Sequence, residues 1–371
     1  MRVQKKKLCD ICFPKQWKTI SSDSLQDSGY PVYGANGIIG FYSEYNHEKK
    51  TLLITCRGAT CGSLNICEPY SYVNGNAMAL DNLSEEIDIQ YLFYYLQYRG
   101  FSDVITGSAQ PQIVRNSLEK IYVFYPEITQ QKKICDTLDK VCELIALRRK
   151  QLERLDLMGK ARFVEMFGFL GELQRKWNLI RLSECCEINP KKNKDARLFS
   201  DLEISFIPMS AVSETGEIVL TEVKIYDDVK NGFTYFAEND VLFAKITPCM
   251  ENGKGAIAKG LCNGIGFGST EFHVLRPIAG KSDSQWLYTM TTFEQFRRDA
   301  MQSMTGSAGQ KRVPASFLES YKIALPPIEW QQQFSAFVTE IDKLKLPIRR
   351  SLDTLEVLKK SLMQEYFGQG V

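Results

Sequence analysis

Two long stretches of the chain place hydrophobic residues at the spacing of paired helices. In residues 126–168 the apolar positions alternate in steps of four and three, with one gap at Arg148: Ile134, Leu138, Val141, Ile145, Leu152 and Leu155. This alternation is typical of a coiled-coil seam, which repeats every seven residues. A proline precedes the stretch and Gly168 ends it. We therefore predict a helix of about 40 residues, which spans about 60 Å.

The same pattern returns in residues 326–368 at a constant offset of 200, as from Ile128 to Ile328 and from Gln131 to Gln331. Its seam is again apolar: Phe334, Val338, Ile341, Ile348, Leu352, Leu355 and Leu362. Pro347 stands where the first copy has Leu147. Proline removes a backbone donor and crowds the preceding turn, so we expect a kink or an interruption in the second helix.

The repeat also extends into the segments before the helices. The letters Thr-Gly-Ser-Ala occupy residues 106–109 and again residues 305–308, and residues 7–12 resemble residues 181–186. The offset grows from about 174 to 200 along the chain, so the two globular parts differ in length. Each copy is therefore expected to be a globular part followed by a shared type of helix.

Within the globular parts, the pattern predicts mixed β and α structure. Asn36-Gly37 between apolar runs predicts a hairpin over residues 30–41. Further strands are predicted at residues 51–56, 205–208, 241–246 and 271–275, and helices at residues 89–98 and 286–301. The fold class expected is α+β, with two mixed α/β domains and two long helices.

Composition narrows the class of protein. The 371 residues are 44% hydrophobic and 24% charged with a net charge of +2, which is ordinary for a globular protein. No run of 18 apolar residues occurs, and no apolar stretch follows the basic N-terminus. We therefore expect no membrane segment, a cytoplasmic location and eleven reduced cysteines. Basic residues cluster locally, as nucleic-acid contacts or as solvated surface: Lys5, Lys6, Lys7, Lys15, Lys18, Lys191, Lys192, Lys194 and Arg197.

The sequence offers little that indicates catalysis. It has two histidines, His47 and His273, and His273 lies in an apolar strand pattern that favours a packed residue over a base. Cys9 and Cys12 have metal-ligand spacing, but no second such pair follows. No phosphate-binding loop motif is present. We expect no catalytic residue, no metal and no cofactor, and a chain built to bind.

Polar loops beside the start of each helix are the candidate binding residues. Arginine, lysine and glutamine reach base edges in the major groove, while serine and threonine suit phosphates. Each residue alone is also explained by turn formation or solvation, and the matched loops together favour DNA contact. The first set is Tyr33, Asn36, Arg57, Thr60, Asn65, Thr106, Ser108, Gln110, Gln112 and Arg115; the second is Lys245, Thr247, Lys254, Ser269, Thr270, Thr305, Ser307, Gln310, Lys311 and Arg312.

The ordered set of motifs resembles the DNA-specificity subunit of type I restriction-modification enzymes. The resemblance rests on PEITQQ at residues 126–131 and PPIEWQ at residues 326–331. YGANGIIG at residues 33–40, TGSAQPQ at residues 106–112, GSAGQKR at residues 306–312 and the two Phe-Gly ends support it. Each motif is weak alone, but the ordered pair of sets covers almost the whole chain.

The resemblance implies two target recognition domains related by a pseudo-two-fold, at residues 1–125 and 171–325. Spacer helices at residues 126–170 and 326–371 would pack antiparallel as a coiled coil. Each domain would read half of an interrupted site in double-stranded DNA. Two modification (methyltransferase) subunits and a restriction (nuclease and translocase) subunit would dock, and this chain would supply no catalytic group.

The outer faces of the helices, with Lys132, Lys133, Arg148, Arg149 and Arg154, would then serve partner subunits. The alternative, from a different class, is a coiled-coil scaffold protein that does not touch DNA.

Overall fold

The computed structural model describes residues 3–107, 110–168, 177–192, 200–219, 221–307 and 309–368. The chain divides into two compact units. The first unit joins Met1–Lys150 to Arg349–Val371, and the second is Gln151–Ile348. Each unit therefore contains one globular part and a half of each long helix. The predicted boundaries at residues 125, 170 and 325 separate recognition domains from spacer helices, which is a division by function. That division stays a prediction.

The first unit contains three sheets and several helices. Its helices are α1 (Leu8–Ile11), α2 (Ile89–Arg99), α3 (Arg115–Leu118) and the first part of α4 (Ile128–Phe167). Its strands are β1 (Gln4–Lys7), β2 (Phe13–Gln16), β3 (Tyr30–Gly34), β4 (Gly37–Tyr42), β5 (Thr51–Thr55), β6 (Leu64–Cys67), β7 (Tyr72–Val73), β8 (Ala77–Asp81) and β9 (Tyr122–Tyr125). The sheets have the strand orders β2-β8-β5-β6, β4-β3-β7 and β1-β9.

The second unit repeats this plan. Its strands are β10 (Leu179–Arg181), β11 (Cys186–Ile188), β12 (Glu203–Ile207), β13 (Glu222–Ile225), β14 (Thr234–Ala237), β15 (Val241–Ala244), β16 (Gly255–Ile257), β17 (Ile265–Gly268), β18 (Phe272–Pro277) and β19 (Lys322–Ala324). Its helices are α5 (Tyr226–Val229), α6 (Ser284–Thr292), α7 (Glu294–Gln302), α8 (Ala315–Ser320) and the first part of α9 (Ile328–Phe367).

The sheets of the two units correspond strand by strand. The order β11-β18-β15-β16 matches β2-β8-β5-β6, and β10-β19 matches β1-β9. The order β13-β12-β17-β14 matches β4-β3-β7 with one strand added at the edge. In both units the central pair of this sheet is parallel, β3 with β7 and β12 with β17. The predicted α+β class with two sheet-rich halves and two long helices is confirmed.

Both long helices form as predicted, each over 40 residues. Gly168 ends α4 with a left-handed φ of 83°, a conformation that glycine adopts without strain, and its N–H donates to the Val164 carbonyl. The interruption expected at Pro347 is not seen, because α9 continues through that residue. On either side of the proline, Lys345 contacts Asp156 and Ser351 accepts from Arg148, and these contacts with α4 favour a continuous helix despite the missing N–H.

In the first unit, the two helix segments run antiparallel. Ile134 and Leu138 share a core with Met363 and Phe367, and Arg148 Nε donates to Ser351 Oγ at 3.2 Å. Arg149 pairs with Glu356 at 2.6 Å. Arg148 is half-buried against the other helix, so the expectation that it lies on an outer face is corrected, whereas Arg149 stays exposed and its role toward partner subunits stays a prediction.

The second unit repeats the antiparallel arrangement with larger aromatic residues. The Phe334 ring packs edge-on against Phe163 and Phe167 at centroid distances of 5.3 and 5.8 Å, and Trp286 of α6 stacks on Phe163. All four side chains are fully buried, which stabilises the unit by about 1.5–3 kcal/mol for each. Between the helices, Lys345 Nζ contacts Asp156 Oδ1 at 2.6 Å.

A buried glutamine joins each long helix to its globular part. Gln131 Oε1 accepts from the Asp88 N–H at 2.8 Å, and its Nε2 donates to the Glu86 and Pro126 carbonyls at 2.8 and 2.9 Å. Asp88 in turn caps α2 by accepting from the N–H groups of Gln90 and Tyr91. The repeated motif at the helix start is therefore a structural anchor.

Two sequence predictions of local structure need correction. The helix expected over residues 286–301 is two helices, α6 and α7, that meet at Phe293 in an extended conformation. Thr291 and Thr292 at the break bond back to backbone carbonyls, which weakens the end of α6. The hairpin over residues 30–41 is confirmed, but its turn residues are Ala35 and Asn36, since Gly34 pairs with Gly37.

Candidate nucleic-acid interface

In the first unit, two loops are joined by backbone hydrogen bonds at the end of β5. The N–H and carbonyl groups of Thr106 and Gln112 bond to each other at 2.8 and 2.9 Å, which closes the loop between them. The Gly58 N–H donates to the Pro111 carbonyl at 3.1 Å, which joins this loop to the one that follows β5. Together the loops present exposed candidate side chains: Arg57, Thr60, Gln110 and Gln112.

The β3–β4 hairpin lies beside these loops. The Thr55 hydroxyl at the end of β5 donates to the Ala35 carbonyl in the turn. Asn36 at the tip is exposed. Asn65 on β6 is half-buried, and its Oδ1 lies 4.0 Å from the point where a Cβ on Gly37 would be. The structure therefore brings Asn36 and Asn65 to the same edge as the end of β5.

Two other predicted residues of the first set, Tyr33 and Arg115, make contacts of a different kind. The Tyr33 ring is buried in a small core with Leu53 and Val73 and its hydroxyl accepts from the Glu68 N–H, so it supports the hairpin from inside. Arg115 starts α3 and its guanidinium lies 4.0 Å from the centre of the Phe13 ring on β2. Ser108 lies outside the described residues, as do Lys194 and Arg197 of the basic clusters.

The second unit closes its loop in the same way. The N–H and carbonyl groups of Thr305 and Arg312 bond to each other at 3.0 and 2.9 Å. The Thr247 N–H donates to the Lys311 carbonyl at 3.0 Å, and the Lys311 N–H donates to Thr247 Oγ1 at 3.1 Å. Ser307, Gln310 and Lys311 are exposed, and Lys245 and Thr247 are half-buried at the end of β15.

An acidic residue that sequence reasoning did not select lies within this second loop cluster. The Glu271 carboxylate accepts from Arg312 Nε at 3.0 and 3.2 Å and from Nη2 at 2.8 Å. The hydrogen bonds from Arg312 hold the pKa of Glu271 below its ordinary value, despite partial burial. Glu271 directly follows Ser269 and Thr270, two predicted DNA-contacting residues, and this position is the one signal in the sequence that could have pointed to it.

Of the remaining candidates of the second set, two lie beside this pair and one follows another loop. Ser269 Oγ accepts from the Glu271 N–H at 3.2 Å, which shapes the turn before β18, and Thr270 is exposed at that turn. Lys254 is half-buried after the loop at residues 248–253. The guanidinium of Arg297, a residue that was not predicted, donates to the Met250 and Gly253 carbonyls and holds this loop in place.

The two loop clusters share one backbone framework and differ in their side chains. The Ile113 N–H donates to the Cys56 carbonyl, and the Val313 N–H donates to the Lys245 carbonyl. Likewise, the Cys56 N–H bonds to the Asn76 carbonyl and the Lys245 N–H bonds to the Glu271 carbonyl. On this framework, Gln112 corresponds to Arg312, and Asn76 corresponds to Glu271.

Other titratable groups are used in packing. His273 is buried, with Nε2 2.8 Å from the Val313 carbonyl, and burial lowers its pKa below the ordinary value. His47 is buried between Asn46 and Asp81. All eleven cysteines are free thiols. Among the described residues, no three His, Cys, Asp or Glu side chains group as metal ligands would, and no helix is long and apolar enough to cross a bilayer.

The chain is thus built from two equivalent modules, each with a polar loop cluster on a sheet and a long helix anchored beside it. A family model for the type I restriction modification DNA specificity domain matches residues 2–157 and again residues 174–356. The chain belongs to this family and carries two copies of its domain.

Relatives of known type agree with this assignment. The EcoEI and EcoAI type I restriction enzyme specificity subunits of Escherichia coli are both 40% identical over 197 residues, which cover 52% of this chain. The matched stretch spans 33% of each of those two proteins. A putative specificity subunit of Haemophilus influenzae, S.HindORF215P, is 20% identical over 95% of this chain and 90% of its own length.

Solved structures of the same type share the fold. The S subunit of a type I restriction-modification system from M. genitalium aligns over 98% of this chain and 95% of its own, with a TM-score of 0.55 and 14% identity. A chain from a structure of type I R-M complex assembly and conformational transition covers 98% and 97%, with a TM-score of 0.50 and 15% identity.

Proposed function

We propose that this chain reads an interrupted sequence in double-stranded DNA, with each loop cluster contacting one half of the site. The observation that carries the proposal is the shared backbone framework of the two clusters, on which the exposed side chains differ. Because the backbone framework is the same, both clusters can dock on a DNA duplex in the same orientation. Because the side chains at matched positions differ, each cluster can contact a different half-site.

The chemistry of the exposed residues supports base reading. The first cluster offers Gln110, Gln112 and Arg57, and the second offers Gln310, Lys311 and Arg312. Glutamine pairs with adenine, and arginine and lysine pair with guanine, at the edges exposed in the major groove. Threonine hydroxyls and lysines such as Thr60, Thr270 and Lys254 suit the phosphates, and these contacts would make binding sensitive to salt.

We further propose that the long helices set the number of base pairs between the two half-sites. A stiff element of fixed length is the physical requirement for a fixed spacer, and α4 and α9 each extend for 40 residues without a break. Paired antiparallel segments in each unit make the helices stiffer than either would be alone.

Two methyltransferase subunits and a restriction subunit are the proposed partners. Exposed apolar residues recur at matched positions of the helices: Leu144, Val357 and Leu358 in the first unit and Leu344, Leu157 and Met158 in the second. Such residues on an otherwise polar helix face favour a protein partner. Two equivalent sets favour two copies of one partner, and the relatives are named as subunits of restriction enzymes.

In this proposal, this chain recognises the DNA sequence, and the partner subunits carry out the catalysis. Methylation of a base inside a duplex requires that the base be turned out of the stack. The base would therefore enter a pocket of the methyltransferase subunit, while this chain holds the flanking sequence.

The decisive test is methylome sequencing of a host that expresses this chain with its methyltransferase partner. The expected result is one bipartite methylated motif. Replacing residues 1–125 with the corresponding segment of a different specificity subunit should change one half of the motif and leave the other half and the spacer unchanged. A motif that the exchange leaves wholly unchanged would overturn the proposal.

The alternative remains a coiled-coil scaffold that does not contact DNA, which the exposed apolar positions of the helices favour. Binding of duplex DNA to the assembled complex, measured between 50 and about 200 mM salt, separates the two. Sequence-specific binding that weakens steeply with salt supports recognition, and assembly of partners without any DNA binding supports the scaffold.

A further inference from the structure

Arg312 forms hydrogen bonds through both its backbone and its side chain at the edge of the second loop cluster. Its backbone forms both hydrogen bonds with Thr305, and its Nε and Nη2 groups bond to the Glu271 carboxylate. Glu271 is itself fixed, because its carbonyl accepts from Lys245 and its N–H donates to Ser269. The arginine side chain is 41% exposed, so the pair lies at the surface.

The way in which Glu271 binds determines what Arg312 can still bind. A guanidinium is a flat group with five N–H donors along two edges. Glu271 takes the side edge, formed by Nε and Nη2. The end edge, formed by Nη1 and the second hydrogen of Nη2, points away from the carboxylate, and its contact among the described residues is the Gln310 carbonyl at 3.4 Å from Nη1.

We infer that Arg312 reads a guanine in the half-site of the second unit and that Glu271 is the positioning residue that aims it. Two parallel N–H groups match the O6 and N7 acceptors of guanine in the major groove. The inference rests on the proposed function and adds a base and a pair of residues to it.

The negative charge of Glu271 favours a base over a phosphate as the ligand of Arg312. An unpaired arginine is attracted to any phosphate of the backbone, whatever the sequence. Pairing with Glu271 neutralises most of that attraction, while the end edge keeps its hydrogen-bonding geometry. Holding the side chain in place before binding also reduces the conformational entropy lost on contact.

The first unit shows the same two positions with neutral side chains. Asn76 stands where the second unit has Glu271, and Gln112 stands where it has Arg312. The two positions thus carry amide side chains in the first unit and an ion pair in the second. Gln112 serves as the matched control, since a change there should alter the other half-site.

The test uses the complex of the full chain with its methyltransferase subunits and a library of duplexes sequenced after binding. Wild type should require guanine at one position of the half-site that remains when residues 1–125 are exchanged. Arg312→Gln should abolish that requirement, and Arg312→Lys should weaken it at least about tenfold, since lysine lacks the paired donors.

The variant Glu271→Gln tests whether Glu271 positions the Arg312 side chain or only stabilises the fold. It should reduce the preference for guanine at that one position about tenfold, and the freed arginine should raise the slope of log affinity against log salt by about one phosphate contact. Gln112→Ala should change only the other half-site. For both Arg312→Lys and Glu271→Gln, the measured quantity is the base preference at one position of the site. A general loss of stability would weaken binding to all duplexes and would not change that preference.

Two outcomes overturn the inference while leaving the proposed function intact. One is a wild-type half-site without a required guanine. The other is a guanine requirement that persists at full strength in both Arg312→Gln and Glu271→Gln. A wild-type complex that binds every duplex equally would overturn the proposed function and this inference together.

Discussion

Gln331 Oε1 accepts a hydrogen bond from the Asp283 N–H at 3.0 Å, and the Gln331 side chain is completely buried. Its Nε2 donates to the Lys281 and Pro326 carbonyls at 3.0 and 2.8 Å. Gln131 makes the same three bonds in the first unit with Asp88, Glu86 and Pro126. One glutamine thus links the start of the long helix to the cap of the helix in the globular part.

Replacing Gln131 by leucine should reduce the stability of the fold much more than the same replacement of its exposed neighbour Lys132. In Gln131→Leu, three backbone groups lose their hydrogen-bond partner, and an unpaired group that is buried costs about 1–3 kcal/mol. We expect a loss of about 2–4 kcal/mol in urea unfolding, with faster amide hydrogen exchange at the start of α2. Lys132→Leu, on an exposed position of the same turn, should stay within about 0.5 kcal/mol of wild type. Equal stability of the two variants would contradict the anchor role.

Sequence reasoning found the elements whose signals are local. The heptad seam and the bounding Pro and Gly residues were sufficient for α4 and α9, and Asn36-Gly37 between apolar runs was sufficient to locate the hairpin but not its turn residues. It could not find features that depend on contacts between distant segments. The burial of Tyr33 and the pairing of Glu271 with Arg312 depend on neighbours remote in the chain. The repeat itself gave no sign that each compact unit contains half of each helix.

Removing the proline from α9 should stabilise the protein. Pro347→Leu restores the N–H that can donate to the Lys343 carbonyl and places the residue found at the matched position of α4. We expect a gain of about 1–3 kcal/mol, seen as a higher midpoint in thermal or urea unfolding. The reciprocal change Leu147→Pro should destabilise α4 by a similar amount. A loss of stability in Pro347→Leu would show that the proline makes a favourable contact not evident in the helix geometry.

His273 should make stability depend on pH. Burial lowers its folded-state pKa below the unfolded value of about 6.5, so the unfolded chain binds more protons as pH falls. Its contribution is therefore complete above the unfolded pKa and is lost as pH falls below it, by up to about 1.4 kcal/mol for each pH unit. His273→Gln should flatten the decline in stability between pH 7 and about 5. Thr270→Gln, at the exposed turn nearby, should keep the wild-type slope, and an unchanged slope in both would rule out His273 as the source.

Lengthening both helices should change the spacer alone. Four residues added after Lys150 and four after Ile348 extend each helix by about 6 Å, which is close to two base pairs of duplex. We expect the methylated motif to gain about two base pairs between its halves while the bases of each half stay the same. An insertion in α4 alone serves as the control and should abolish methylation, because the antiparallel segments would then lose their register. A spacer that stays constant when both helices are lengthened would mean that another element sets it.

The exposed apolar positions on the helices predict how many methyltransferase subunits bind. Val357 is 70% exposed in the first unit, and Leu157 at the matched position of the second unit is 64% exposed. A glutamate at either position should leave folding almost unchanged, since a surface change costs about 0.5 kcal/mol or less. If this position is buried against an apolar surface of the partner, desolvation of the carboxylate strongly disfavours binding. Native mass spectrometry should therefore count two methyltransferase subunits on wild type, one on Val357→Glu, one on Leu157→Glu and none on the double variant. Val357→Leu keeps the apolar surface and should retain two, so two subunits on the double glutamate variant would exclude these positions from the docking surface.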